Sequence, residues 1–325
     1  MSQPVVLVLR ALGLGDLLTA LPAMRGLIRA FPGHRHVLAA PAALGPLAVH
    51  AGAAHGVLPV RGLEPLPRSV ARPDLAVNLH GRGPRSHRLL LALRPRRLIG
   101  FAHGEVPGTA GAPAWPEEAH EVDRWCLLLA ASGIPADPRD LRLSPPPVPA
   151  PEGAAGATIL HPGAKAAARR WPRERWAAVA RAERAAGRRV LVTGSAAEVD
   201  LARRVARAGG LPDRSVIAGR TDLLTLAAAV AAADRVVAGD TGVAHLATAL
   251  ATPSVLLFGP SPPSAWGPPP GAGPHVVLWK GGTGDPLADR PDPGLLAIEA
   301  EEVISALRSL DREPRPGGCR SRGRG

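Results

Sequence analysis

Residues 235–250 read RVVAGDTGVAHLATAL, and the fold is decided by this stretch. Residues 235–238 form a short apolar run of the kind found in buried strands, and 242–250 have the alanine-rich, apolar composition of a helix. Gly239 and Gly242 let the chain turn tightly between the two. A strand followed by a glycine turn and a helix is the repeating unit of parallel α/β sheets, so an α/β fold is predicted.

The same stretch predicts an anion-binding site. The amino end of a helix carries partial positive charge and free backbone amides, and Thr241 adds a hydroxyl at that point. Asp240 has two interpretations, as a helix cap or as a ligand of sugar hydroxyls. His245 lies one turn into the helix and faces the same end, so Asp240, Thr241, Gly242 and His245 form one candidate site.

Outward from this stretch, strand-like and helix-like runs alternate along the chain. Strands are predicted at residues 5–9, 36–40, 57–60, 75–79, 97–101, 157–160, 189–193, 235–238 and 254–258. Helices are predicted at 16–31, 86–93, 121–132, 173–186, 197–208, 222–233, 242–250 and 299–310, and residues 260–274 form a Pro/Gly loop. The alternation predicts βαβ units and mostly parallel sheets, with the strand at 254–258 closing the second run.

Two domains are predicted from the length of 325 residues and from a proline-rich segment near the middle. Residues 144–151 read SPPPVPAP, and prolines resist both helix and strand, so this segment forms an extended linker. The expected organisation is an N-terminal domain at 1–144, a linker at 145–156, a C-terminal domain at 157–292, a helix at 293–311 and a disordered basic tail at 312–325.

The charge of the chain has two interpretations. The formal net charge is +12, and all but two of the basic residues are arginine. Such an excess attracts polyanions or phosphorylated ligands, whereas a GC-rich genome raises Ala, Arg, Gly and Pro together. The arginines are scattered and no nucleic-acid motif is present, so no nucleic-acid partner is predicted.

Cysteine usage and hydropathy indicate a reducing, cytoplasmic setting. Cys126 lies in an apolar helical run and is predicted to be a core thiol, and Cys319 lies in the tail. Neither a disulfide framework nor metal-ligand spacing is present, so no metal site is expected. The apolar start of the chain is short and runs into a glycine turn, which indicates a strand, and no apolar run reaches membrane-spanning length.

The first strand is followed by Gly13, Leu14, Gly15 and Asp16. A dinucleotide-binding fingerprint requires a third glycine where Leu18 stands, so this loop fits NAD poorly. Asp16 is either a helix cap or a functional carboxylate at the carboxyl end of a strand, where open α/β sheets bind ligands. Local physical chemistry leaves the two interpretations open.

Cations follow the strand at 157–160. Lys165, Arg169 and Arg170 lie between the strand end at His161 and a helix that starts near Pro172. Arginine can grip a phosphate with two hydrogen bonds, so these cations predict contacts with a diphosphate. The alternative is a solvated basic loop.

Glu198 follows the strand at 189–193 and the turn Gly194-Ser195. An acid in this place can bind the hydroxyls of a ribose, as in dinucleotide-binding folds. The alternative, which is favoured when the residue is considered alone, is an acid stabilised by the partial charge at a helix N-terminus.

Taken together, these motifs resemble those of the ADP-heptose:lipopolysaccharide heptosyltransferase family, glycosyltransferase family 9. The resembling segments are LGLGDLLTALPAMRGLIRAFP (12–32), HEVDRW (120–125), HPGAKAAARRWPRERW (161–176), AGDTGVAHLATAL (238–250) and SVLLFGPSPPSAW (254–266). The resemblance implies a GT-B architecture, in which two Rossmann-like domains with parallel sheets face a central cleft. It also implies an inverting, metal-independent transfer of a sugar without any cofactor.

The resemblance implies a role for each matching residue. Asp16 would be the general base on an acceptor-side loop that contains Gly13 and Gly15. Arg169 stands where the family usually has a lysine near the donor phosphates, and Glu198 would bind the ribose. The other residues on the donor side would be Lys165, Asp240, Thr241, Gly242 and His245.

The partners implied are an ADP-heptose-like nucleoside-diphosphate sugar and a glycan or glycolipid acceptor of the cell envelope. A lipid-linked acceptor would add a peripheral membrane contact, to which the arginines of 312–324 could contribute. Two other functions remain as alternatives. These are an NAD(P)-dependent oxidoreductase and a non-catalytic nucleotide-sugar-binding protein of the same fold.

Overall fold

The computed structural model describes residues 3–70 and 72–311, without the side chain of Arg68. Its first sheet has five parallel strands in the order β3-β2-β1-β4-β5. The strands are β1 (Val5–Leu9), β2 (Arg35–Ala40), β3 (Gly56–Pro59), β4 (Leu75–Asn78) and β5 (Arg97–Ile99). The strand order reverses between β1 and β4, and open α/β sheets bind ligands beyond the carboxyl ends of the strands at such a point.

The second sheet also has five parallel strands, in the order β10-β9-β8-β6-β7. The strands are β6 (Thr158–His161), β7 (Val190–Val192), β8 (Arg235–Gly239), β9 (Ser254–Leu257) and β10 (His275–Leu278). Here the order reverses between β6 and β8, so the loops after these two strands are the expected ligand-binding loops.

Twelve α-helices occur within the described residues. They are α1 (Leu14–Thr19), α2 (Leu21–Ala30), α3 (Gly45–His50), α4 (Arg85–Leu91), α5 (Glu121–Ala130), α6 (Arg173–Ala185), α7 (Val199–Ala208), α8 (Leu223–Ala232), α9 (Gly242–Leu250), α10 (Pro263–Trp266), α11 (Pro293–Leu296) and α12 (Ala300–Leu310). The largest apolar core joins the two sheets, because it contains Val6 and Leu17 together with Ile159, Val236 and Val243. Two smaller cores cover the outer faces of the sheets.

Three sequence-based predictions about elements need correction. The helix predicted at 16–31 begins at Leu14 and is divided at Ala20. Pro22 explains the division, because proline lacks the amide that would bond Leu18. The strand at 254–258 does not close the second sheet, since β10 follows the Pro/Gly loop. The helix predicted at 293–311 is two helices, α11 and α12, and neither α3 nor α10 was predicted.

The remaining predicted strands and helices are found, with ends that shift by a few residues. The predicted core position of Cys126 is confirmed, because the thiol is buried and burial raises its pKa to about 12. The predicted basic tail at 312–325, which contains Cys319, lies outside the described residues.

Candidate active site

A cleft of about 740 Å³ lies at the carboxyl ends of the two sheets. The loops after β1, β6 and β8 all contribute to its walls. Ten of the residues singled out from the sequence line it: Gly13, Gly15, Asp16, Lys165, Arg169, Glu198, Asp240, Thr241, Gly242 and His245. Segments more than 200 residues apart therefore share one concave surface.

Two glycines bring α1 and α9 into direct contact at the cleft. A Cβ added to Gly15 would lie 2.7 Å from Cδ2 of His245, and one added to Gly242 would lie 2.8 Å from Cβ of Leu14. Real Cβ atoms do not come this close to other atoms, so neither position admits a larger residue without movement. Each loop thus presents a glycine to a side chain of the other, which sets Asp16 close to the start of α9.

Asp16 lies in the first turn of α1, and its carboxylate does two things. Its Oδ2 accepts a hydrogen bond of 3.0 Å from the amide of Gly13, so the capping interpretation holds. Its Oδ1 lies 3.7 Å from a guanidinium nitrogen of Arg10, and the side chain keeps 28% of its surface exposed in the cleft. Capping therefore occupies one oxygen and leaves the other near Arg10 but without a hydrogen bond among the described residues.

The start of α9 is open toward the cleft. No side chain caps this helix, and its first turn contains no acidic residue. The hydroxyl of Thr241 is buried and has no hydrogen-bond partner among the described residues. Free amides, a helix dipole and an unpaired hydroxyl together form an anion-binding arrangement.

Asp240 is buried and turns toward Arg169, so the capping interpretation of Asp240 is wrong. Nη1 of Arg169 donates a 3.2 Å hydrogen bond to the carbonyl of Asp240 and lies 3.9 Å from its Oδ2. This arrangement holds the guanidinium beside the start of α9, where a diphosphate would gain from its charge.

The other two cations of the same loop separate. Lys165 is exposed and lines the cleft, and within residues 3–70 and 72–311 its ammonium has no carboxylate partner. Arg170 instead bonds the carbonyls of Ala164 and Lys165 and does not line the cleft. For Arg170 the solvated-loop interpretation therefore holds.

Glu198 is held at the cleft by its own turn. Its Oε2 accepts hydrogen bonds from the amide and hydroxyl of Ser195, at 2.7 and 2.8 Å. The helix-terminal interpretation is therefore realised, while the side chain still lines the cleft. Next to it, Nδ1 of His161 lies 2.9 Å from Oγ1 of Thr193, and burial lowers the pKa of His161 to about 4 against the opposing charge of Glu198.

His245 borders one side of the cleft. Burial lowers its pKa, and the carboxylates of Asp240 and Asp16 oppose the shift only in part. Its ring meets Trp266 edge to face, with centroids 5.9 Å apart. Trp266 also lines the cleft, so the helix α10 in the Pro/Gly loop gives the site an aromatic wall that the sequence interpretation missed.

Sequence reasoning also missed Arg10 and Glu121, which lie directly behind Asp16. Both side chains are buried, and their charged groups lie 2.9 Å apart. A signal was available, because HEVDRW at 120–125 places an acid at the start of a helix that becomes apolar after Arg124. The sequence offered no reason to connect this acid with a residue 111 positions earlier.

The described residues lack both a metal-binding cluster and a membrane-spanning helix. Within residues 3–70 and 72–311, no three His, Cys, Asp or Glu side chains are grouped so that they could hold a metal ion. In the same part of the chain, none of the helices combines the length and the apolar character needed to cross a bilayer.

Comparisons with known proteins agree with this geometry. A family model described as glycosyltransferase family 9 (heptosyltransferase) matches residues 112–279, which is just over half of the chain. No curated protein sequence matches the chain.

Several solved structures are similar over nearly their whole length. ADP-heptose lipopolysaccharide heptosyltransferase II of E. coli shares 22% identity with a TM-score of 0.74, covering 94% of this chain and 98% of its own. A family 9 glycosyltransferase of Veillonella parvula shares 20% identity with a TM-score of 0.77, covering 95% and 98%. The E. coli heptosyltransferase WaaC with ADP shares 20% identity with a TM-score of 0.67, covering 94% and 99%. At this identity the likeness establishes the fold, and the predicted GT-B architecture is confirmed.

Proposed function

The chain belongs to glycosyltransferase family 9 and is a glycosyltransferase, and we propose that it transfers a sugar from a nucleoside diphosphate to an acceptor hydroxyl with inversion at the anomeric carbon. One observation carries the proposal. The carboxylate of Asp16 and the uncapped start of α9 line the same cleft, and α1 and α9 are in contact there. We propose that this base and this anion site act on one sugar bound in the cleft.

The donor diphosphate would bind at the start of α9. When the bond to the anomeric carbon breaks, negative charge develops on the leaving diphosphate. The start of α9 has no side-chain cap, the hydroxyl of Thr241 has no partner among the described residues, and the guanidinium of Arg169 is held beside them, so we propose that little reorganisation is needed. Each well-placed donor of this kind can lower the barrier by about 3 kcal/mol. We propose that these groups, with Lys165, provide the charge stabilisation without a metal ion.

The acceptor hydroxyl would lose its proton to Asp16. A hydroxyl is a weak nucleophile, and a positioned general base typically accelerates its attack by about 10²–10⁴-fold. The Asp16 side chain is partly exposed and lines the same cleft as the start of α9, and we propose that the acceptor binds on the Asp16 side and attacks from the face opposite the leaving group. That direction of approach is the physical reason for proposing inversion.

We propose an ADP-heptose-like donor and a cell-envelope glycan or glycolipid acceptor. The donor rests on the similar heptosyltransferase structure that contains ADP and on the position of Glu198, whose carboxylate borders the cleft where a ribose would lie. An acceptor carried on a lipid would bring the protein to a membrane surface. Co-flotation with vesicles that carry such an acceptor, and its absence with plain vesicles, checks this part.

A donor screen tests the proposal. Purified protein is incubated with ADP-, UDP- and GDP-sugars and a mixed acceptor extract, and the released nucleoside diphosphate is measured with and without EDTA. We expect release from an ADP-sugar, undiminished by EDTA, and a product of opposite anomeric configuration by NMR. Calorimetry with NAD serves as a control and should show no binding. Release from none of the donors contradicts the transfer, and loss of activity in EDTA contradicts its metal independence.

A further inference from the structure

Arg10 occupies an unusual position for an arginine in this chain. It follows β1 directly, and only 1% of its surface is exposed. Its guanidinium donates hydrogen bonds to the main-chain carbonyls of Asp16 and Leu79, so it ties α1 to the end of β4. A third bond, of 3.2 Å, reaches Oγ1 of Thr19. Every contact on this side is with the segment that carries the proposed base or with the strand beside it.

The opposite side of the guanidinium is fixed by α5. Nη2 donates a 2.9 Å hydrogen bond to Oε1 of Glu121, and the guanidinium carbon lies 4.8 Å from the ring centroid of Trp125. The indole nitrogen of Trp125 donates to the same Glu121 oxygen at 2.8 Å. Arg124 pairs with the other oxygen of Glu121. Because Glu121 already has Arg124 as a counter-ion, the charge of Arg10 is only partly neutralised by Glu121 and remains available to Asp16.

The Arg10 guanidinium and the Asp16 carboxylate form an ion pair without a hydrogen bond. At 3.7 Å, Oδ1 is close enough for electrostatic attraction but too far for a hydrogen bond. The other oxygen is occupied by the amide of Gly13. The carboxylate is thus oriented by its neighbours, while Oδ1 keeps a lone pair that no donor consumes. A general base needs this combination, because a direct hydrogen-bonded salt bridge would compete with the incoming proton.

We propose that Arg10, held by Glu121 and Trp125, is the positioning residue of Asp16. It fixes the backbone and the carboxylate orientation of the base without bonding the oxygen that receives the proton. This inference rests on the proposed function of Asp16. It also gives HEVDRW at 120–125 a function, because this segment supplies the groups that immobilise Arg10.

A purely structural role for Arg10 makes different predictions, and kinetics separates the two. Arg10→Met should lower kcat at least thirtyfold, while the KM for the donor and the Kd for ADP stay within twofold of the wild-type values. Arg10→Lys keeps the charge but cannot bond Asp16, Leu79 and Glu121 together, so kcat should fall only three- to tenfold. In an Asp16→Asn background, Arg10→Met should cause no further loss, because the oriented group is gone.

Arg235 provides a matched control, since it is also a buried arginine, bonded to the carbonyl of Leu307 and to Asp311 on the second sheet. Arg235→Met should lower the melting temperature as Arg10→Met does but leave kcat within twofold. A folded Arg10→Met protein with wild-type kcat, or losses that multiply in the double variant, would overturn the inference.

If Arg10→Met does not fold, Arg10→Lys tests the positioning role, and an unchanged kcat in Arg10→Lys would reject that role. Wild-type turnover in Asp16→Asn would overturn the proposed function itself. Loss of turnover in Asp16→Asn together with normal turnover in Arg10→Met would reject only the positioning role.

Discussion

The loop between β1 and α1 and the loop between β8 and α9 share one design. Each follows the central strand of its sheet, turns with glycines, and starts a helix whose amino end lines the cleft. One aspartate stands in each loop or in the first turn of the helix that follows it. The position of the aspartate differs, because Asp16 lies in the first turn of its helix, whereas Asp240 comes two residues before the helix begins.

This difference reverses the electrostatics of the two helix ends. Asp16 caps its own helix and gives the start of α1 a negative charge, which repels a phosphate and suits a base. Asp240 turns away toward Arg169, so the start of α9 keeps its free amides and its attraction for anions. Two similar frameworks therefore acquire opposite electrostatics from the placement of a single carboxylate.

The largest expected effect comes from removing the charge on the first loop. Asp16→Asn keeps an oxygen that can accept the bond from Gly13, so the protein should fold normally. Without a base, transfer should fall by about a hundredfold or more, which lies within the usual range for general-base catalysis. Single-turnover kinetics with a saturating donor measures the loss. The Kd for ADP should stay within twofold, and wild-type turnover would remove Asp16 from the mechanism.

A change beside the start of α9 should weaken the binding of ADP more than it slows the chemical step. Arg169→Ala removes the guanidinium beside α9, and the affinity for ADP should fall by about tenfold or more, since a charge-assisted hydrogen bond contributes about 1.5–3 kcal/mol. Calorimetry at low and moderate salt measures the change. Arg170→Ala is the matched control, because Arg170 is the next residue but bonds only loop carbonyls. Equal effects of the two variants would indicate general attraction of anions by a basic loop.

Sequence reasoning recovered the elements of the fold well, because local patterns determine them. Short apolar runs and glycine turns identify β1, β6 and β8 within a residue or so. The failures occurred where local patterns are ambiguous. The division at Ala20 depends on a proline inside an otherwise helical run, and β10 follows a loop whose composition hides the end of the sheet.

The sequence predicted residues that the structure brings to one cleft, but it did not predict their contacts with one another. Asp16 and Arg169 stand in recognisable motifs, and the resemblance to a family assigned them roles. The support behind Asp16 was missed, because Arg10 and Glu121 are 111 residues apart and meet only through the fold. The contact between Gly15 and His245 was missed for the same reason, since it joins the two sheets.

The smallest expected effect concerns His161, which lies beside Glu198 on the anion-binding side of the comparison. Burial lowers its pKa to about 4, whereas an unfolded histidine has a pKa near 6.5. As the pH falls from about 6.5 to about 4, the unfolded chain binds a proton at this histidine but the folded protein does not, so the free energy of unfolding decreases. Replacing the ring with His161→Gln removes this term. The stability difference between wild type and variant, measured by urea unfolding, should therefore shrink by about 1–2 kcal/mol between pH 7 and pH 5.

His275→Gln is the matched control. The stability difference between wild type and this variant should shrink by a similar amount, because burial also lowers the pKa of His275, on the edge strand β10, to about 4. Only His161→Gln should also weaken ADP binding, since His161 lines the cleft and His275 does not. Parallel pH profiles for wild type and His161→Gln would mean that the ring takes up a proton in the folded protein as readily as in the unfolded chain, which would contradict the lowered pKa of His161.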